Sequence, residues 1–227
     1  MTTCFIATGN AHKVGEIQSL LGGGFTLLSR RDVPSPLDPE ETGSTFEENA
    51  RIKALAWARH LTVHPGPVRI DWVLADDSGL EVDALHGAPG IHSARFAALD
   101  DGRPGNSPDA GNNAKLLRLM ETVPEGRRQA RFRCVLALTP VDPSASPAEL
   151  AERTRCFQGH CPGHISAAAA GSHGFGYDPL FVPEGHSVSF AELGDEIKGR
   201  ISHRARAFEG LREFLVERKA SNHQPCP

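Results

Sequence analysis

The stretch Thr3-Cys4-Phe5-Ile6-Ala7-Thr8-Gly9-Asn10-Ala11-His12-Lys13 contains the pattern that decides the fold class. An apolar run ends at Gly9-Asn10, and apolar residues then recur at helical spacing as far as Leu21. The pattern predicts a strand, a tight turn and a helix in immediate succession. Such a turn exposes backbone N–H groups at the positive end of the helix dipole, where a phosphate can bind. The alternative is an ordinary strand-to-helix connection, because the spaced glycines of a P-loop are missing.

Strands and helices continue to alternate along the chain, which predicts an α/β fold. Thr45 and Glu48 fit a capping box at the start of a helix over residues 46–61. The further elements expected from periodicity are strands over 72–75 and 130–138, one or two strands over 156–167 broken at 162–163, a helix that Asn112 or Asn113 caps and that reaches Met120, and a final helix from Ser202. Residues 140–152 contain three prolines and are expected to form an exposed loop or insert.

Length and composition limit the classes of protein that are possible. The chain has 227 residues, 39% of them hydrophobic, which suits one large domain or two small lobes and excludes a disordered chain. We expect a single domain over residues 1–219 and a flexible tail over 220–227. The formal net charge of −4 argues against a dedicated nucleic-acid binder. A polyanionic ligand would therefore have to meet localised cations or a metal.

The distribution of apolar residues and cysteines indicates a compartment. No apolar run is long enough to span a membrane, and residues 1–10 lack the pattern of a signal peptide. We therefore expect a soluble, cytoplasmic protein with no membrane partner. The five cysteines are irregularly spaced, which argues against a disulfide framework and against a zinc site.

Asp76-Asp77-Ser78-Gly79 follows the strand predicted over 72–75 and forms the second candidate site. Two adjacent carboxylates point to opposite sides if a strand continues through them, so that one can face a cleft. A carboxylate at the end of a strand in an α/β sheet is well placed to hold Mg²⁺ or to deprotonate a water. Turn chemistry is the alternative, since Asp and Ser both stabilise turns.

A third group of candidates is acidic and lies around the start of the helix over 46–61. Glu47 and Glu48 are explained by capping and by the helix dipole. Glu40 and Glu41 precede the helix in a loop and can reach a metal, which the residue pattern leaves open.

The fourth candidate is the loop Gly174-Phe175-Gly176-Tyr177-Asp178-Pro179. Glycines on both sides of an aromatic residue allow the backbone to approach a flat ligand closely. Phe175 or Tyr177 can stack on a nucleobase, and Asp178 can accept hydrogen bonds from a ring N–H or a ribose. A plain β-turn is the alternative.

The fifth candidate is Lys198-Gly199-Arg200-Ile201-Ser202-His203-Arg204. Ser202 is a good N-cap, which places His203 and Arg204 in the first turn, where the helix dipole disfavours cations. An anionic ligand would remove this conflict. The alternative is that both side chains are solvated and that the conflict costs only a few tenths of a kcal/mol.

Together, these motifs resemble those of the inosine/xanthosine triphosphate pyrophosphatase family. The matching stretches occur in the order of the family between residues 4 and 215, at 7–13, 41–54, 75–80, 87–96, 174–179 and 202–204. The resemblance implies an elongated α/β fold, a mixed sheet flanked by helices with two lobes and a central substrate cleft, usually as a homodimer. It also implies Mg²⁺-dependent hydrolysis of ITP, dITP and XTP to the monophosphate and pyrophosphate.

The resemblance further implies a role for each matching residue. Those expected to hold the phosphates are Thr8, Gly9, Asn10, Ala11, His12 and Lys13, with Lys53 and Arg95 as further cations. Glu41 and Asp77 would bind Mg²⁺, Asp77 would also be the base for the attacking water, and Ser78 would lie beside the substrate. Those expected to stack on the base or to recognise it are Phe175, Gly176, Tyr177, Asp178, Lys198, His203 and Arg204.

Base selection has a physical basis in this scheme. Hypoxanthine and xanthine carry a 6-oxo acceptor where adenine carries an amino donor. Donors from His203 and Arg204 would therefore pair with the 6-oxo group but would face the amino donor of adenine without an acceptor. One alternative is a related pyrophosphatase that acts on modified pyrimidine nucleotides. Another is a non-catalytic nucleotide sensor, against which the two metal-binding carboxylates argue.

Overall fold

The structure is a computed structural model and describes residues 2–21, 24–33, 36–102 and 104–221. Residues 222–227, most of the predicted tail, lie outside the described residues. Within the described ranges, none of the helices combines the length and the apolar character that crossing a bilayer would require.

A single mixed sheet organises the fold. Its strands are β1 (Thr2–Ile6), β2 (Phe25–Ser29), β3 (Trp72–Val82), β4 (Gln129–Pro140), β5 (Arg155–Ile165) and β6 (Phe181–Pro183), in the spatial order β2-β1-β3-β4-β5-β6. The first three strands along this order run parallel, and every pairing from β3 to β6 is antiparallel. This arrangement confirms the predicted α/β class with a mixed sheet.

Helices cover both faces of the sheet. They are α1 (Ala11–Leu21), α2 (Phe46–Val63), α3 (Ala98–Asp101), α4 (Asp109–Met120), α5 (Pro147–Arg153), α6 (Phe190–Ile201) and α7 (His203–Ser221). Helix α2 begins at the predicted capping box, in which Thr45 Oγ1 accepts a hydrogen bond from the N–H of Glu48. Its buried face includes Ala50, Ala54 and Trp57, which explains why a helix forms over this apolar-periodic segment.

The central strand β3 positions the site. Val73 and Ala75 pack in the core cluster that contains α2, whereas Leu74 packs in the cluster that contains α7. The strand does not end at Ala75, as predicted, because residues 76–79 continue the antiparallel ladder with β4. The alternation of a strand therefore carries Asp76 to the α7 face and Asp77 to the α2 face.

Three other boundaries differ from the sequence prediction. Helix α4 begins at Asp109 with Pro108 at its N-cap, so neither Asn112 nor Asn113 caps it. The segment 140–152 is not only loop, because α5 starts within it at a capping box made by Ser146. Strand β5 runs unbroken through residues 162–163, since β4 and then β6 pair with it there.

The junction of α6 and α7 brings the fifth candidate site to the sheet. Helix α6 had not been predicted, and Ser202 joins it to α7 as the expected N-cap, accepting a hydrogen bond from the N–H of Ala205 at 3.2 Å. Gly159 of β5 lies under this junction. A Cβ at Gly159 would lie 2.1 Å from the carbonyl oxygen of His203 and 2.4 Å from the nitrogen of Ala207.

Replacing Gly159 by alanine is expected to push α7 away from the sheet, because the close atoms belong to the backbone and cannot rotate away. We expect Gly159→Ala to lower the free energy of unfolding by about 1–3 kcal/mol, as overpacked sites do. Urea denaturation measures this. Gly66→Ala is the control, since nothing lies within 4 Å of a Cβ added at Gly66. Equal stability of the two variants would contradict the prediction.

Candidate active site

The turn between β1 and α1 brings Lys13 to the sheet. Asn10 Oδ1 accepts hydrogen bonds from the N–H groups of His12, at 2.9 Å, and Lys13, at 3.3 Å, and Thr8 Oγ1 accepts one from the N–H of Asn10 at 3.2 Å. These N–H groups are therefore not free, which differs from the expectation for a phosphate-binding turn. Lys13 extends its ammonium group from this segment into the site.

Asp76 is a buried carboxylate that receives four donors. Its Oδ1 atom accepts from Lys13 Nζ and, at 2.9 Å, from Ser78 Oγ. Its Oδ2 atom accepts from Arg204 Nε at 3.0 Å and from Cys134 Sγ at 3.2 Å. Burial alone would raise the pKa of Asp76, but Arg204 and Lys13 outweigh it and hold that pKa well below its usual range. The carboxylate is therefore ionised and held in place.

Ion pairs extend from Asp76 into a row of alternating charges, called here the charge ladder: Lys13, Asp76, Arg204, Glu16, Lys198 and Asp178. Glu16 accepts from both Arg204 and Lys198, the latter at 2.8 Å, and Lys198 Nζ lies 2.6 Å from Asp178 Oδ2. Three cations and three carboxylates make the ladder neutral. The sequence reasoning missed Glu16, although it lies three residues after Lys13 on α1, a spacing that places both on one helix face.

A cavity of about 110 Å³ opens against the charge ladder. Ten of the predicted residues line it: Asn10, Lys13, Ser78, Phe175, Gly176, Tyr177, Asp178, Lys198, His203 and Arg204. Gly79 of the second candidate stretch also lines it, and five lining residues were not predicted: Ser93, Ala94, Asp109, Asn112 and Phe132. Arg95 does not line the cavity, although its neighbours Ser93 and Ala94 do.

The two aromatic residues of the fourth candidate loop have different environments. Tyr177 is buried, and its hydroxyl donates to the carbonyl oxygen of Ser93 at 2.9 Å, so its ring belongs to the core. Phe175 is half-buried, with the Lys198 ammonium 4.5 Å and the His12 ring 5.2 Å from its ring centroid. Phe175 is therefore the ring of this loop that can stack on a flat ligand.

His203 is buried and neutral. Burial and the nearby charges of Arg204 and Lys198 hold the pKa of His203 well below its ordinary value. Its ring stacks on Phe132 at 4.8 Å, and its Nδ1 atom has no hydrogen-bond partner among the described residues. A buried ring nitrogen without a partner favours a ligand that pairs with it.

On the other face of β3, Lys53 lies between two carboxylates. Its Nζ atom is 2.7 Å from Asp77 Oδ1 and 3.0 Å from Glu41 Oε1. Burial raises the pKa of Asp77 above its ordinary value, although Lys53 opposes this shift. Burial disfavours charge on Lys53 as well, but the pKa of Lys53 is still raised because Asp77 and Glu41 lie beside it.

Glu41 and Asp77 also fit a divalent cation. Both already approach one cation, the Lys53 ammonium, from two sides. No group of three or more His, Cys, Asp or Glu side chains that could hold a metal occurs in the described part of the chain. Mg²⁺ suits such a sparse donor set, because it is commonly bound by one or two carboxylates with water and substrate phosphates as further ligands.

Glu47 and Glu48 are engaged with protein groups at the start of α2. Glu48 accepts hydrogen bonds from the N–H groups of Ser44 and Thr45, at 2.6 and 3.2 Å, which confirms the capping interpretation. Glu47 accepts a hydrogen bond from Gln158 Nε2 at 3.0 Å. Glu41 is therefore the acidic residue of this region that the structure brings to Asp77.

Comparison with known proteins gives consistent matches along nearly the whole chain. The profile of the Ham1 family matches residues 4–214. The chain is 47% identical over 216 residues to a dITP/XTP pyrophosphatase from Pseudomonas syringae pv. tomato, covering 95% of this chain and 98% of the relative. A dITP/XTP pyrophosphatase from Desulforamulus reducens is 44% identical over 211 residues, covering 92% of this chain and 94% of the relative. The solved structure of the Staphylococcus aureus Ham1 protein superposes with a TM-score of 0.76 at 35% identity, covering 96% of this chain and all of that one.

Removing the charge of Asp76 is expected to destabilise the protein strongly, because Lys13 and Arg204 would face each other without it. We expect Asp76→Asn to lower the free energy of unfolding at pH 7 by about 3–5 kcal/mol, the usual cost of breaking a buried ion pair. Urea denaturation measures the change. Asp38→Asn removes an exposed partner of Arg30 and serves as the control; a loss at Asp76 no larger than the loss at Asp38 would contradict the prediction.

Proposed function

This chain belongs to the Ham1 family, and we propose on that basis that it hydrolyses ITP, dITP and XTP to the nucleoside monophosphate and pyrophosphate with Mg²⁺. Water adds across the anhydride bond between the α- and β-phosphates, and pyrophosphate leaves. The observation that carries the proposal is that ten predicted residues line one and the same cavity. Relatives named dITP/XTP pyrophosphatase at 40–47% identity support the choice of substrates.

The phosphates of the substrate would be bound by Lys13 and Lys53. Each ammonium is paired with carboxylates, Lys13 with Asp76 and Lys53 with Glu41 and Asp77, so each is held at a fixed position. A Mg²⁺ ion held by Glu41 and Asp77 would neutralise phosphate charge and bind phosphate oxygens. Ser78 lines the cavity beside Lys13, and its hydroxyl donates to Asp76.

Asp77 is proposed as the general base. Its side chain is largely buried, and burial raises its pKa, which makes it a stronger base than an exposed aspartate. Asp77 would accept a proton from the attacking water while Lys53, 2.7 Å away, stabilises the phosphate charge. The adjacent Asp76 does not suit this role, because its four donors occupy its oxygens and hold its pKa low, which makes it a weak base.

The base would stack on Phe175 and meet donors at its 6-position. Lys198 and Arg204 both line the cavity and carry only donors. A 6-oxo group accepts from such donors, whereas the 6-amino group of adenine would leave buried donors unpaired. Neutral His203 adds a nitrogen without a partner that can pair with the ligand.

We further propose that the protein is a cytoplasmic homodimer with a two-lobed chain whose cleft holds the site. The resemblance to the inosine/xanthosine triphosphate pyrophosphatase family supports the two lobes, the cleft and the dimer, and the sequence of residues 1–10, which does not resemble a signal peptide, supports the compartment. Light scattering coupled to size-exclusion chromatography tests the dimer, and a monomer at micromolar concentration would contradict it.

The substrate proposal predicts a ranking within a panel of nucleotides. We expect pyrophosphate release from ITP, dITP and XTP at a kcat/KM about a hundredfold or more above that for ATP, because unpaired buried donors cost this much in discrimination. Removing Mg²⁺ with EDTA should abolish release, and added Mg²⁺ should restore it. A higher kcat/KM for dUTP or a methylated pyrimidine would overturn the choice of substrate, and ITP binding without pyrophosphate release in Mg²⁺ would indicate a sensor.

Asp77→Asn should nearly abolish turnover and leave the fold intact. The change keeps the side-chain volume, and Lys53 retains Glu41 as a partner at 3.0 Å. We expect kcat to fall by about a hundredfold or more, the usual contribution of a general base. Steady-state kinetics and thermal denaturation measure the two effects, with Asp38→Asn as the control; wild-type kcat in Asp77→Asn would exclude this role.

A further inference from the structure

One turn of α4 holds both main-chain polar groups of Gly176, a residue in the wall of the cavity. Asp109 Oδ2 accepts a hydrogen bond from the N–H of Gly176 at 2.7 Å, and Asn113 Nδ2 donates to the carbonyl oxygen of Gly176 at 2.9 Å. The two side chains are four residues apart on the helix and therefore share one face. The pair of hydrogen bonds is called here the Gly176 clamp.

These side chains do not cap their own helix, although Asp109 in the first turn also complements the helix dipole. Pro108 is the N-cap of α4, and no side chain caps the first turn. Asn112, between them in sequence, instead binds another segment that lines the cavity: its Oδ1 atom accepts from the N–H of Ala97 at 2.8 Å, and its Nδ2 atom donates to the carbonyl oxygen of Ala94 at 3.2 Å. A single helical turn thus fastens both the Ala94 wall and the Gly176 wall of the cavity.

The clamp acts at a glycine, where the backbone dihedral angles have the least intrinsic restriction. Gly176 has a φ of +64°, in the left-handed region, and a glycine there has wide conformational freedom. The preceding N–H, that of Phe175, is taken by Asp178 Oδ2 at 2.9 Å. The Phe175 ring is therefore fixed through hydrogen bonds on both sides of its own Cα atom. The bond to Asp109 is charge-assisted and short, which makes it the stronger half of the clamp.

We propose that Asp109 and Asn113 are positioning residues for base recognition, which hold Phe175 in register with the donors of Lys198 and Arg204. The proposal rests on the proposed function, since it assigns how the same cavity selects its base. The clamp binds main-chain atoms of Gly176 and acts on the substrate through Phe175. Loss of the clamp should weaken binding of the base and leave the phosphate site, on Lys13 and Lys53, in place.

The test compares Asp109→Ala, Asn113→Ala and the conservative Asp109→Asn, whose amide oxygen can still accept from Gly176. Asp100→Ala is the control, because Asp100 is an exposed acid paired with Lys115 and Arg118 away from the cavity. The readouts are kcat and KM for ITP and for ATP in Mg²⁺, the affinity for IMP and for AMP by calorimetry, and the Tm of each variant.

The clamp predicts a loss in each alanine variant that is specific to the base. We expect the KM for ITP and the Kd for IMP to rise by about three- to tenfold, the value of one hydrogen bond, with kcat nearly unchanged. The ratio of kcat/KM for ITP over ATP should fall by the same factor. Asp109→Asn should recover most of the loss, and Asp100→Ala should behave as wild type.

Two results would overturn the proposal. Unchanged IMP affinity in both alanine variants would show that the clamp does not position the base site. An equal loss of kcat/KM for ITP and ATP, together with a lower Tm, would show that these residues only stabilise the fold. If wild type releases no pyrophosphate from any nucleotide, the proposed function fails, but the IMP affinities still decide whether the clamp positions the base.

Discussion

The site depends on a buried aspartate. Asp76 is 1% exposed, and a carboxylate at that depth must be compensated by hydrogen bonds and opposite charge. The four donors that do so come from α1, β3, β4 and α7, so this one carboxylate fixes the relative positions of Lys13 and Arg204. Because β3 continues through Asp76 and Asp77, the two carboxylates lie on opposite faces of the sheet. Asp76 is the structural carboxylate, and Asp77 is the proposed base.

Local periodicity predicted the parts of the fold that are stabilised locally. The capping box of α2 and the alternation of β4 are encoded within a few residues of each other, and both were found. The predicted end of β3 was wrong. Asp-Asp-Ser-Gly favours a turn locally, but the pairing with β4 and the ion pairs to residues 13, 53 and 204 keep this segment extended. No local pattern contains partners so far away along the chain.

The same limit applies to the site. The resemblance to a family brought together residues that line one cavity, but it did not predict Glu16, Asp109 or Asn113, which bind protein groups. Asn113 was interpreted as a helix cap because the rule for caps considers only the residues that follow. Its actual partner, Gly176, is 63 residues away and carries no side chain that could mark the contact.

The burial of the groups proposed to select the base has a consequence for the effect of ionic strength. At 0.1 M salt, the interaction between exposed charges more than about 10 Å apart is largely screened, whereas the interaction within a buried pair is screened much less. Arg204 is 1% and Lys198 4% exposed, and His203 carries no charge. In the proposed scheme, salt in the surrounding solution therefore competes with the attraction of a polyanion to the site and leaves the preference for one base over another nearly unchanged.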